Sequence, residues 1–249
     1  MNFSTYLGGS SLDEGYAITV DTNGCIYIVA QTYSSNIQLR NANDTTLRGS
    51  DDAYVCKINP NHTINWSTYL GGSGDEGDTY GFGITTDQQG NCYVVSDTKS
   101  PDFPLVNPLN GTMLNGTTLN GTSDAFISEF SPTGLLIFST YFGGSGADSA
   151  TEFRVNSTGY IFIAGDTHSS DFPLKNPYPI TFNSAGDGFL AILSPTHALV
   201  WSTYFGASSI GSTGNSINAM AITDAGAIYF GGSTASNGTG NNLPLVNPV

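Results

Sequence analysis

One short motif returns four times along the chain and dominates what it can fold into. Ser4-Thr5-Tyr6-Leu7-Gly8-Gly9-Ser10 recurs from Ser67 to Ser73 and, with Phe142 for leucine, from Ser139 to Ser145. A degraded fourth copy runs Ser202-Thr203-Tyr204-Phe205-Gly206-Ala207-Ser208. The copies start 63, 72 and 63 residues apart. A period of this length marks an array in which each unit buries its apolar residues only by stacking on its neighbours.

Each unit reads as four short strands. In the first, Tyr16–Val20 and Cys25–Val29 alternate apolar and polar residues around the turn Asp21-Thr22-Asn23-Gly24. The Asp of that turn bonds its own backbone and the Gly supplies the positive φ. A long connection leads to a third strand, Ala53–Ile58, and Asn59-Pro60-Asn61-His62 turns into a fourth, Ile64–Leu70. No segment has a helical period. The expected fold is all-β: a β-propeller of four-stranded antiparallel blades, three complete and one partial. Residues 1–249 then form one domain or fragment, with repeat units 4–66, 67–138, 139–201 and a partial 202–249. The longer second unit contains the pentads Leu109-Asn110-Gly111-Thr112, Leu114-Asn115-Gly116-Thr117 and Leu119-Asn120-Gly121-Thr122. This low-complexity insertion is expected to project from the blade edge as a surface loop that tolerates deletion.

These motifs resemble the SBBP-type β-propeller repeat family of large secreted or surface proteins of bacteria and archaea. The matching features are STYLGGS, the acidic-Gly stretches Asp13-Glu14-Gly15 and Asp75-Glu76-Gly77, and the Asp-x-x-Gly hairpin. Asp-Ala-aromatic at the third strand also matches (Asp52-Ala53-Tyr54, Asp124-Ala125-Phe126, weakened in Asp187-Gly188-Phe189), as does Asp-Phe-Pro-Leu at 102–105 and 171–174. The resemblance implies a propeller and brings no catalytic residues with it. The last unit lacks an Asp-Ala-aromatic strand, and the N-terminus offers only an orphan fourth strand, Phe3–Leu7. An open arc, a fragment of a longer propeller or a chain completed by another copy is therefore expected over a closed ring.

Composition narrows the function. Six Lys+Arg against 20 Asp+Glu give a net charge of −14, which disfavours partners rich in phosphate, both nucleic acid and anionic lipid. No apolar run reaches the ~18 residues of a membrane span, so no membrane insertion is expected. Three cysteines, Cys25, Cys56 and Cys92, make no disulfide framework or zinc motif and read as buried free thiols. Met1 leads directly into Asn2-Phe3-Ser4 with no secretory signal in this chain.

Candidate chemistry is sparse. His62 and His197 fall in the turn before the fourth strand and His168 in a connection, which favours surface roles. Asp75, Glu76 and Asp78 are hard oxygen ligands on a Gly-rich loop and weak calcium candidates, but the acidic stretch fades in units three and four, so a solvated turn is preferred and no other cofactor is expected. Asp52, Asp124 and Asp187 read as capping acids at a strand entry. Aligning first strands gives Ala17, Gly83, Glu152 and Met220 at one position and Thr19, Thr85, Arg154 and Ile222 at another. Glu152 and Arg154 thus share one face of an innermost strand and are channel-lining candidates, with a local salt bridge as the preferred reading. Nine Asn-x-Ser/Thr sequons make Asn61, Asn110, Asn115, Asn120 and Asn237 glycosylation candidates. The leading functional expectation is an extracellular or cell-surface structural or interaction module, with a protein partner or self-association through open blade edges. The alternatives are a glycan-binding propeller using surface Tyr and Trp, or a lyase or hydrolase with a site at the channel mouth.

Overall fold

The computed structural model describes residues 4–79, 81–110, 116–180, 182, 185–206, 214–223 and 226–234. Fourteen strands occur among them and no helix. β1 (Asp13–Val20), β2 (Ile26–Thr32), β3 (Asp52–Ile58) and β4 (Ile64–Leu70) form blade 1. β5 (Gly83–Thr86), β6 (Cys92–Thr98), β7 (Asp124–Phe130) and β8 (Leu136–Phe142) form blade 2. β9 (Asp148–Val155), β10 (Ile161–Thr167), β11 (Asp187–Leu193) and β12 (Leu199–Phe205) form blade 3, and β13 (Ser216–Ile222) with β14 (Ile228–Ser233) start blade 4. Every sheet is an antiparallel meander in chain order. The repeat motif thus closes one blade with its Ser-Thr-Tyr and opens the next with its Gly-Gly-Ser. The first strands touch in sequence, β1 on β5, β5 on β9 and β9 on β13, so they line the inner side of an arc that does not close.

The orphan strand expected at the N-terminus is not formed. Phe3 lies outside the described residues, and residues 4–12 contain no strand. Among the described residues no third strand pairs with it, and Tyr6 is fully exposed.

The cores lie between blades. Register places Tyr27, Lys57 and Trp66 on one face of blade 1, with Val29 and Val55 beside them. This forward face packs on the back face of blade 2, including Cys92, Val94, Phe130 and Leu136. The forward face of blade 2, with Tyr93, Val95, Ile127 and Phe138, meets Ile161, Ile163, Leu193 and Leu199 of blade 3. Phe162, Ala164 and Leu190 of blade 3 meet Ile217 and Met220 of blade 4. Polar latches cross the same junctions. Trp66 Nε1 and Lys57 Nζ both donate to Pro132 O at 3.2 Å, Tyr27 Oη donates to Gly90 O at 3.1 Å, and Gln31 Nε2 donates to Glu76 O at 3.1 Å.

Each outer strand is shielded by its own blade's long connection. Isolated bridges Arg40–Ser67, Val106–Ser139 and Lys175–Ser202 run along the outer edges of β4, β8 and β12, covering backbone that would otherwise invite strand addition. The motif hydroxyls hold these connections down. Ser67 Oγ donates to Gln38 O and Ser202 Oγ to Pro173 O. Tyr141 Oη donates to Ser100 O at 2.6 Å and accepts from Phe103 N; Tyr204 repeats the pattern with Ser169 O and Phe172 N. This explains why Ser-Thr-Tyr recurs.

The described flanks of the pentad insertion are tied to the blades. Residues 111–115 lie outside the described residues, but both flanks are packed. Leu109 is buried in the junction of blades 2 and 3 and its N–H donates to Thr140 Oγ1. Gly116 O accepts from Tyr141 N and Thr140 Oγ1, Leu119 packs on the junction of blades 1 and 2, and Asn120 N donates to Asp124 Oδ2. Leu109 and Leu119 anchor the two described flanks of this polar repeat to the blade junctions. Leu109→Ala should therefore cost about 2 kcal/mol or more in urea unfolding, as for other buried leucines. Tyr141→Phe, which leaves Ser100 O and Phe103 N without their partner, should cost about 1–3 kcal/mol in the same measurement.

Candidate interaction surface

The acidic positions separate into three environments. Asp102 and Asp171 accept from the backbone N–H and hydroxyl of Ser73 and Ser145, and these backbone bonds hold both carboxyls below the usual range. Asp75 and Asp78 flank Lys99 at 3.8 and 2.6 Å. Glu76, between them in sequence, points the other way, is fully buried and accepts from Thr98 Oγ1 at 2.8 Å and from Ser100 Oγ. The three calcium candidates therefore do not converge, and no cluster of three or more metal-ligating His, Cys, Asp or Glu occurs among the described residues.

Asp52 and Asp124 do cap the preceding loop. Asp52 Oδ2 accepts from Arg48 N and Asp124 Oδ2 from Asn120 N. Their other oxygens turn to the next blade: a side chain at Gly71 would collide with both Asp52 Oδ1 and Glu76 Oε2, and one at Gly143 with Asp124 Oδ1 and Asp148 Oδ2. The second glycine position of the motif is equally tight, against Ser100 and Asp102 at Gly72 and Ser169 and Asp171 at Gly144. The sequence signal for this was present in the recurrence of an acid five residues after Gly71 and Gly143.

Glu152 and Arg154 stand on β9, the innermost strand of blade 3, and pair at 2.8 Å between Arg154 Nη1 and Glu152 Oε2. Both line a cleft of about 280 Å³ with Ala219, Met220 and Tyr229. The unit-four alignment is one residue out of step. β13 pairs Ile222 with Ile228 as β1 pairs Val20 with Ile26, so Ala219 and Ala221, not Met220 and Ile222, correspond to Glu152 and Arg154. Met220 is buried on the back face.

His197 is no simple surface residue. Its Nε2 lies 2.6 Å from Glu129 Oε2 of blade 2 and its ring stacks on Phe138 at 3.9 Å. His62 is exposed in the equivalent turn; both residues have positive φ, as does Gly134 in blade 2. His168 lies after β10, with its ring against Gly186. The cysteines are free and buried. Among the sequons, Asn61, Asn110 and Asn120 are exposed, while Asn115 and Asn237 lie outside the described residues. Hairpin turns of three blades line a second cleft of about 280 Å³ at one end of the first strands. Its Asp21 and Asp87 carboxylates are occupied by turn N–H groups and by Tyr27 and Tyr93 hydroxyls. Trp66 is buried and Trp201 half-buried, whereas the exposed Tyr16, Tyr160 and Tyr178 stand on different parts of the chain.

The two ends of the arc expose apolar side chains at positions that are covered inside it. On the back face of blade 1, register aligns Val20, Ile26, Ile58 and Ile64 across all four strands, with Ile18 and Ile28 in the next row. Ile18 is 67% and Val20 57% exposed. The corresponding residues of blade 3, Phe153 and Val155, are buried and half-buried, and Ile161 and Ile163 are fully covered. The apolar cluster behind blade 1 draws only on residues between Leu7 and Tyr69; the other three clusters have two blades each. At the far end, Tyr229 holds the forward-face position of Tyr27, Tyr93 and Phe162. Those three are at most 5% exposed and Tyr229 is 62% exposed. One end thus presents an aliphatic back face and the other a forward-face aromatic.

Residues 2–38 and 65–104 match the family model described as the beta-propeller repeat, SBBP. No curated protein matches the chain. The matched segments span the Ser-Thr-Tyr-Leu-Gly-Gly motif, the first hairpin and the connection that folds back on the outer strand, which are the parts the geometry ties together. At residues 2–38 and 65–104 the chain carries repeats that match the SBBP beta-propeller repeat family.

Proposed function

We propose that this protein is an assembly module whose working surfaces are the two ends of its blade array, and that it pairs head to tail with a second copy of itself. A beta-propeller repeat domain supports an interaction role of this general kind. The observation that carries the finer reading is the aliphatic back face of blade 1, whose counterparts are covered wherever a blade precedes them. Burying Ile18 and Val20 is worth about 1.5–3 kcal/mol for each side chain taken fully from water. The exposed Tyr229 at the opposite end supplies the residue type that fills this position at every internal junction. Contact between unlike ends is heterologous, so it extends the array or closes a ring, according to the rotation between copies. The low content of Lys and Arg and the covered outer edges suit a module that joins through defined ends and otherwise stays apart. An extracellular or cell-surface setting agrees with the exposed sequons and with the secreted and surface proteins its motifs resemble.

The test is sedimentation of the isolated chain across a hundred-fold concentration range. Mass should rise with concentration for the native sequence and stay monomeric for Ile18→Asp and Val20→Asp, with unchanged β-rich circular dichroism. A monomer at every concentration, or equal association by the Asp variants, contradicts the reading.

A further inference from the structure

Asp52 and Glu76 are both fully buried, and the facing oxygens, Asp52 Oδ1 and Glu76 Oε2, have no hydrogen-bond donor. Both crowd the same glycine, Gly71. At the next junction Asp124 Oδ1, which has no donor, and Asp148 Oδ2 crowd Gly143, both residues at most 1% exposed; Asp148 Oδ2 also accepts from Gly144 N and Ser169 Oγ. Two ionised carboxylates in such a place would repel and leave acceptors unsatisfied. The third junction shows what fits. Asp187 faces Asn215 over Gly206, and Asn215 Nδ2 donates to Asp187 Oδ1 at 2.8 Å. An amide N–H there occupies the place that the hydroxyl of a protonated acid would take.

We infer that each of the first two junctions is closed by a carboxylic acid–carboxylate pair sharing one proton, so that blade stacking is coupled to proton binding. The acid's O–H donates to the partner's facing oxygen, between Asp52 Oδ1 and Glu76 Oε2 at the first junction and from Asp124 Oδ1 to Asp148 Oδ2 at the second, and no other co-reactant is needed. A bound cation fits the third junction poorly, because its Asn offers a donor at the same place.

The surroundings agree. Near the first pair stand Asp44, Asp51, Asp75 and the phenol of Tyr69, while the Arg48 guanidinium is paired to Asp44. Around the second stand Asp171, His168, and the phenols of Tyr141 and Tyr204. Burial raises Glu76, Asp52 and Asp148 from their ordinary values and pushes Asp124 up to about 7. Groups raised in the folded state bind more protons there than in the unfolded chain. Their stabilising effect is full below the ordinary carboxylate pKa and is lost as pH rises through the raised values.

Urea unfolding, read by Trp66 and Trp201 fluorescence from pH 5 to 9, tests this. The unfolding constant of the native chain should rise with pH, by up to about ten-fold per pH unit for each retained proton. The double variant Glu76→Gln/Asp148→Asn, which copies the amide of the third junction, should flatten the profile. Asn215→Asp, which creates a third carboxyl pair, should steepen it. His168→Gln should leave the slope in place, separating the pairs from the nearby imidazole. A native profile that is flat or falls with pH, a slope that survives the double variant, or a slope abolished by His168→Gln overturns the inference.

Discussion

A four-stranded sheet has two faces and cannot bury both on its own. In this protein that constraint sets nearly everything else. The apolar clusters form where the forward face of one blade meets the back face of the next, so a blade is stable only in company. The arc therefore ends in surfaces of the same composition as its core. Blade 1 keeps its back face and blade 4 its forward face, and each internal junction shows what such faces pack against inside the arc.

Close approach of blades demands glycine. The Gly-Gly of the repeat stands where the chain passes from the outer strand of one blade toward the inner strand of the next, and carboxyl oxygens fill the space a side chain would need at Gly71 and Gly143. The same turn receives Thr98, Ser100 and Asp102 in blade 2 and their counterparts Thr167, Ser169 and Asp171 in blade 3. The motif residues are thus one hydrogen-bonded cassette that fixes each blade to the one before it.

Much of this was legible in the sequence because the signals are local. Asp-x-x-Gly turns located the hairpins, and the run from Ile64 to Leu70 is a strand with the expected ends. The failures came where the signal is not local. Asp52 and Glu76 lie 24 residues apart, as do Asp124 and Asp148, and only the fold shows that they touch. The unit-four register slipped because its turn begins with Thr223 instead of Asp or Asn, and because Asn215 follows Gly206 by nine residues where Asp148 follows Gly143 by five. The pentads looked solvated by composition, yet Leu109 is a core residue. Composition averages over a loop, whereas one well-placed leucine decides where the loop lies. His197 likewise needs a partner from another blade, which no turn motif announces.

The central claim is that the back face of blade 1 is an unfilled blade junction, and hydroxyl-radical footprinting reads it at the level of side chains. Ile18 and Val20, with Tyr229 at the opposite end, should lose reactivity as the protein is concentrated from dilute solution. Leu135 and Tyr160, exposed away from both ends, should keep theirs. Equal reactivity of all five residues at every concentration would contradict the account.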